Sequence, residues 1–479
     1  MSTIIGRKQE IAELERLYNS DRPEFVAVYG RRRIGKTFLI KQVFKDRITF
    51  QHTGISPADL DGSRNQLKTQ LESFYYSLLS HGLEGFKKPK TWIEAFYQLQ
   101  QLLIKLDNGS RQVVFIDELP WMDTQRSGFL PAFESFWNGW CSSRDNIMLI
   151  VCGSATSWIL GNLARSRGGL YGRLTDQIKL QPFTLQECEE YFTHHDILMS
   201  RYDITQSYMI FGGIPYYLSY FQKGYSLQQN TDRILFGNNP RLNDEFDRLF
   251  NAIFGNPGDC KKIVRLLATR HSGYTREQIA EKTGIPGGGG LSNTLKALAE
   301  SDFITRYKPY GKSRQGEYYK LIDNFCLFWI KYVEPHNEPS FMTQNATSNI
   351  LKTWRGVAFE DVCQQHIAQI RQALGISGVR TSVSAWTSTG DDNTDGAQID
   401  LIITRDDNIV NLCEMKFAAE TYHITKEEEA KLRNRIQALK KTLKVRQTIH
   451  LTMITTYGIA YGKYSGIVQK QLTIDDLFI

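Results

Sequence analysis

The chain has 479 residues and a mass of 55.1 kDa, a length that predicts two to four domains. Hydrophobic residues make up 41%, which excludes bulk disorder. Lys plus Arg (58) exceed Asp plus Glu (51) by 7, a balance that permits a nucleic-acid partner without requiring one.

No apolar run approaches the roughly 20 residues of a membrane-spanning helix, and "MSTIIGRKQEIAEL" lacks the apolar core of a signal peptide. The seven cysteines have no metal-ligand or thioredoxin-like spacing. A cytoplasmic protein with reduced, buried thiols and no membrane partner is therefore expected. Residues 1–180 alternate short apolar runs with helical patterns, as in a parallel sheet covered by helices. Strands are predicted at 25–30 (FVAVYG), 48–53 (ITFQHT), 112–117 (QVVFID) and 147–154 (IMLIVCGS), each apolar enough to be buried on both faces. Residues 181–254 turn helical, 255–335 read as a helix-turn-helix with a hairpin, and 336–350 read as a polar linker. Residues 351–479 give a helix, a strand pair, a second helix and a closing strand.

The first strand runs into "GRRRIGKT", in which Gly30, Gly35, Lys36 and Thr37 match the phosphate-binding pattern between a strand and a helix. Backbone amides from Gly30 through Arg31, Arg32, Arg33, Ile34 and Gly35 to Phe38 would cradle the phosphates of ATP. Lys36 would reach the β- and γ-phosphates, and the Thr37 hydroxyl would ligate Mg²⁺. "VVFIDELPW" ends a strand with Asp117, a second Mg²⁺ ligand, followed by Glu118 as the base that orients the attacking water. Ser154, at the end of the fourth strand, reads equally as a sensor of the γ-phosphate through water or as a helix N-cap. Arg165, Arg167 and Arg173 follow. Arg173 is favoured as the arginine set against the γ-phosphate, a role often filled from a neighbouring subunit and so compatible with a homo-oligomer. A surface salt bridge is its plain alternative.

The segments "IIGRKQEIAEL", "YGRRRIGKT", "FIDELPW", "GSATSWI", "YGRLTDQIKLQPF" and "GGIPYYL" occur in this order. Together they resemble the archaeal-type ATPases, a branch of the AAA+/STAND-like P-loop proteins, over residues 4–335. The resemblance implies an αβα sandwich with a helical lid carrying Gly213 and Pro215. It also implies that Ile5, Gly6 and Arg7 lie near the adenine.

"TREQIAEKTGIPGGGGLSNTLKALAESDFI" and the alternating "TRYKPYGKSRQGEYYKL" suggest a winged helix. Lys296, Arg306, Lys308, Lys312 and Arg314 could meet DNA phosphates there. A module that only transmits movement is the alternative, and the four glycines 287–290 suggest local flexibility.

In "AQIDLIITRDDNIVNLCEMKF", a turn centred on Asp407 would set Asp400 across from Glu414, with Lys416 on the same face as Glu414. Two carboxylates can hold a divalent cation that activates water. Asp followed by Glu-x-Lys across a hairpin resembles the PD-(D/E)XK nuclease core, an α/β restriction-endonuclease-like fold, and Glu360 takes the place of that fold's helix-borne acid. Gln398 and Ile399 stand where a proline often precedes the acid. An exposed cross-strand salt bridge is the competing reading. In the last helix, Glu427–Lys431 and Glu429–Arg433 support a solvated face; Lys440, Lys441 and Lys444 could track a phosphate backbone, with a plain solvent face favoured.

The expectation is thus an ATP-hydrolysing, DNA-associated protein with ATP and Mg²⁺ as cofactors. Its nucleotide state would control a nuclease-like domain. A nucleotide-operated signalling or scaffolding switch that binds DNA or protein without cutting is the alternative.

Overall fold

In the computed structural model the residues described are 3–56, 65–165, 168–310, 316–336, 338–388, 397–443 and 446–479. They form two compact units. One comprises 1–182, 247–260 and 293–302; the other comprises 183–246, 261–292 and 303–479.

The first unit is built on strands β1 (Glu24–Tyr29), β2 (Ile48–Thr53), β3 (Gln112–Asp117), β4 (Ile147–Gly153) and β5 (Asp176–Lys179). They pair in the order β2-β3-β4-β1-β5, and every pairing is parallel. Every residue of β1, β3 and β4 is buried, as a parallel sheet covered on both faces requires. One face carries an aromatic core in which Trp92 meets Phe74 and Phe129 edge-on, at 5.6 and 5.1 Å between ring centres. Because β4 lies between β1 and β3, the loop after β1, the acids ending β3 and Ser154 after β4 come out at the same edge of the sheet. The short polar strand β5 (DQIK) escapes the sequence reading because it has neither an apolar run nor a clean alternation.

The second unit begins with helix Leu185–His194, which opens on a capping box of Thr184 and Glu187. Helix Arg201–Phe211 follows, buried from Ile204 to Phe211. It stops at Gly212 and Gly213, which both have φ near +65° (66° and 65°). A side chain at Gly213 would meet the Phe183 carbonyl at 2.3 Å. Pro215 then starts helix Pro215–Leu218. Strands β6 (Tyr274–Thr275), β7 (Ile304–Tyr307) and β8 (Tyr318–Leu321) make an antiparallel sheet in the order β6-β8-β7. Thr275 caps helix Arg276–Thr283. Gly289 and Gly290 lie within helix Gly289–Glu300, and the Arg276 guanidinium binds the carbonyls of Gly287 and Gly288. The four glycines are thus a held turn and a helix start. The predicted hairpin turn, with Lys312 and Arg314, lies outside the described residues.

Two expectations about boundaries change. The segment 336–350, read as a linker, is folded. Helix Phe341–Asn345 buries Phe341 and Met342. The buried Asp232 carboxylate accepts from the Met342 amide at 2.7 Å and from the Thr343 amide and hydroxyl at 2.9 and 2.6 Å. The spans 181–254 and 255–335 do not stay whole either, since the chain passes between the two units within helices Glu245–Ile253, Pro257–Ala268 and Gly289–Glu300.

The C-terminal sheet runs β13-β12-β11-β10-β9, from β9 (Thr381–Ser388), β10 (Ala397–Arg405), β11 (Ile409–Lys416), β12 (Thr448–Thr455) and β13 (Lys470–Thr473). Strands β9 to β11 are antiparallel, and β11 to β13 are parallel. Helix Lys426–Leu443 forms the crossover from β11 to β12. Among the described residues no helix is long and apolar enough to cross a membrane.

Candidate functional site

The loop after β1 needs backbone shapes that few side chains tolerate. Gly30 and Gly35 have φ of 139° and 91°. A Cβ on Gly30 would lie 2.4 Å from the Leu180 carbonyl oxygen. Helix Lys36–Phe44 follows, with its amino end facing the loop. The buried Lys36 ammonium donates to the carbonyls of Gly30 and Arg31 at 3.0 and 3.1 Å. Burial lowers its pKa, and the charges of Glu118 and Asp117 oppose that shift. The Thr37 hydroxyl donates to Asp117 Oδ2 at 2.7 Å. Burial and the neighbouring Glu118 charge push the Asp117 carboxyl up.

Glu118 adopts the left-handed conformation at φ 47°. Its carboxylate accepts from the Ser154 amide at 3.0 Å and from the Ser154 hydroxyl at 2.9 Å. Ser154 is not the helix N-cap: the helix after it, Thr156–Ile159, has Ala155 at that position, and the Ser154 hydroxyl holds the Glu118 carboxylate. Only the strand order could have shown this, because nothing local links positions 118 and 154.

In the second unit, β10 and β11 pair from Leu401 with Cys413 to Thr404 with Val410, a register that stops one position short of the Asp400–Glu414 pairing expected from sequence. The two side chains take different partners. Glu414 pairs with Lys416 at 2.8 Å and with Arg435. The Asp400 carboxylate accepts from Gln398 Nε2 at 2.6 Å, and its carbonyl accepts from Gln364 at 3.1 Å. Metal-binding atoms of Asp400, Glu360 and His271 all lie within 4.8 Å of one another. Burial and the Asp400 charge raise Glu360 to about 7. Asp361, next to Glu360 in sequence, is fully enclosed. Burial would raise its carboxyl, but Lys320 at 2.6 Å and His271 at 3.1 Å hold it down at about 2. His271 and Lys320 had no place in the sequence reading.

Residues 4–221 match the model of an ATPase domain predominantly from Archaea. An uncharacterised protein of Methanocaldococcus jannaschii is 24% identical over 413 residues, covering 84% of this chain and 85% of that protein. An uncharacterised ATP-binding protein of the same organism is 42% identical over 43 residues, 9% of this chain and 73% of that protein. Among solved structures, a Walker-type ATPase of Pyrococcus abyssi is similar at TM-score 0.46 and 17% identity, over 69% of this chain and 96% of that one. The ORC2 protein of Aeropyrum pernix is similar at TM-score 0.40 and 12% identity, over 71% and 95%.

Within the ATPase domain, Gly6 and Arg7 form a left-handed turn (φ 61° and 57°), and the buried Arg7 donates to the Ile34 carbonyl at 3.4 Å. The turn carrying Ile5 thus abuts the phosphate loop. Arg31 is buried, and Arg32 donates to the Arg248 carbonyl at 3.0 Å. Arg33 has φ 74°, and Phe38 is 42% exposed. Arg165 pairs with Glu300 at 2.7 Å. Arg173 is exposed, and Arg167 lies outside the described residues.

Proposed function

We propose that the ATPase domain binds ATP with Mg²⁺ at the Gly30–Thr37 loop and hydrolyses it with Glu118 as base. We further propose that the nucleotide state controls a DNA-directed C-terminal domain. The carrying observation is the convergence of Lys36, the Thr37–Asp117 pair and the Ser154-held Glu118 at one sheet edge. Thr37 and Asp117 offer adjacent hard oxygen donors, which suit Mg²⁺. Bound there, Mg²⁺ would neutralise charge on the β- and γ-phosphates.

The chain's own groups do the rest. Lys36 exchanges its two carbonyl partners for phosphate oxygens. Loop amides hold the triphosphate in line. Glu118 accepts the proton of the attacking water as the new P–O bond forms and the bond to the β-phosphate oxygen breaks, leaving ADP and inorganic phosphate. Lys36→Ala should abolish turnover. Glu118→Gln should keep ATP binding and lose about 10²- to 10⁴-fold in kcat. Full turnover by either variant would refute the assignment.

For the C-terminal domain, the Asp400–Glu360 proximity supports a metal-dependent nuclease. Lys296, Arg306 and Lys308 are the basic groups offered to DNA, although Lys296 lies 4.0 Å from Glu300 and Arg306 lies 3.7 Å from Glu317. One observation favours the non-cleaving switch: the Glu414 charge is already answered by Lys416 and Arg435. Mn²⁺-dependent nicking of plasmid, lost in Asp400→Ala, selects the nuclease. No cutting of single-stranded, duplex or branched DNA, with or without ATP, selects the switch.

A further inference from the structure

Three side chains from distant parts of the sequence meet in the second unit. His271 lies in the turn between helix Pro257–Ala268 and β6, Glu360 lies on helix Asn349–Gln365, and Asp400 lies on β10. Their metal-binding atoms fall within 4.8 Å of one another. Ligands about 2.1 Å from one ion sit roughly 3–4 Å apart, so small rotations of side chains would close the set.

Histidine orientation is the second observation. Its Nε2 lies 3.1 Å from Asp361 Oδ1, and its Nδ1 lies 3.6 Å from Glu360. A carboxylate can only accept, so Nε2 carries a proton towards Asp361, and a cation between Nδ1, Glu360 and Asp400 would take the Nδ1 lone pair in place of any proton there. A buried acid behind an imidazole, fixing its tautomer, is the usual outer support of a metal-bound histidine. Asp361 is itself anchored by Lys320 at 2.6 Å.

The charge balance agrees. Lys320 answers Asp361, which leaves Glu360 and Asp400 as two negative charges for one divalent cation. Glu414, by contrast, has both Lys416 and Arg435. A cavity of about 290 Å³, with His271, Asp361, Asp400, Tyr307, Gln364 and Gln398 in its lining, gives access and room for water ligands.

We propose that His271, Glu360 and Asp400 form a site for a divalent transition ion of the Mn²⁺ or Zn²⁺ class. One imidazole nitrogen with two carboxylates selects such an ion over Mg²⁺ or Ca²⁺, which prefer oxygen alone. The site goes beyond the nuclease reading. It stands whether or not the C-terminal domain cuts DNA, and it takes its third ligand from outside that domain while leaving Glu414 aside.

The test is calorimetric titration of Zn²⁺, and separately of Mg²⁺, into the full chain after chelation and without nucleotide. Wild type should show one saturable Zn²⁺ event and at least tenfold weaker Mg²⁺ binding. His271→Ala and Asp400→Asn should each weaken Zn²⁺ at least tenfold, while Glu414→Gln should stay within about threefold of wild type. Asp361→Asn should weaken it about 10- to 100-fold through loss of the orienting acid. Unchanged thermal melting of each apo variant separates lost ligation from lost folding; if Asp361→Asn does not fold, the other variants decide. Wild-type affinity in His271→Ala, or loss of binding in Glu414→Gln alone, would overturn the site. Plasmid cutting with no dependence on His271 would leave the nuclease reading standing without it.

Discussion

At the scale of single residues, Glu118 and Ser154 are the informative pair. In the proposed hydrolysis Glu118 takes a proton from water and so has to be aimed, and two donors from Ser154 hold its carboxylate. Charge-assisted hydrogen bonds of this kind are each worth about 1.5–3 kcal/mol. Ser154→Ala removes the hydroxyl and leaves the amide. It should therefore lower kcat about tenfold while KM for ATP stays within about twofold, a split that steady-state kinetics reads directly. A rise in KM with kcat unchanged would instead make Ser154 a nucleotide contact. The phosphate loop was legible from sequence because its chemistry needs glycine, lysine and threonine at contiguous positions. Asp117 and Glu118 were legible because they end a strand. Ser154's partner and the place of His271 beside Glu360 and Asp400 were not, since side chains brought together by strand order or across a fold leave no spacing to read.

At the scale of elements, His366 joins two helices. Its Nδ1–H donates to the Val362 carbonyl at 2.8 Å, and its Nε2 accepts from the Leu185 amide at 3.0 Å, in the first turn of helix Leu185–His194. Tyr208 packs edge-on against the ring. Only neutral imidazole can make both bonds. Burial lowers its pKa from 6.5 to about 4. Between those values the unfolded chain binds a proton that the native chain refuses, so stability is complete above about pH 6.5 and declines as pH falls towards 4. The full effect is about 3 kcal/mol. His52 in the first unit, also lowered to about 4 by burial, adds the same sign. His366→Gln should melt at a lower temperature than wild type at about pH 7 and converge on it by about pH 4.5. Parallel curves across that range would show that His366 does not carry the effect. The helices themselves were readable where a cap and an apolar period agree, as at Thr275. The edge strands β5, β9 and β13 were not, because an edge strand needs no apolar face on both sides.

At the scale of the whole molecule, composition and pattern predict four consecutive domains, but the chain returns to each compact unit more than once. Boundaries inferred from composition assume that neighbours in sequence fold together, and continuous helices such as Pro257–Ala268 break that assumption. The buried cysteines give each unit its own reporter. Cys141 and Cys152 lie in the first, and Cys363 and Cys413 lie in the second. Burial pushes all four thiols up, so a thiol reagent reacts only when a unit opens. A ligand that binds the native unit alone stabilises it by about 2.7 kcal/mol at about 100 times its Kd, roughly a 100-fold drop in the open population. ATP with Mg²⁺ should therefore slow labelling of Cys141 and Cys152 by up to about that factor, and Lys36→Ala should remove the protection. Mn²⁺ without nucleotide should slow Cys363 and Cys413, and His271→Ala should remove that. Mass spectrometry of the labelled peptides separates the four sites, and nucleotide protection that survives in Lys36→Ala would place ATP somewhere other than the Gly30–Thr37 loop.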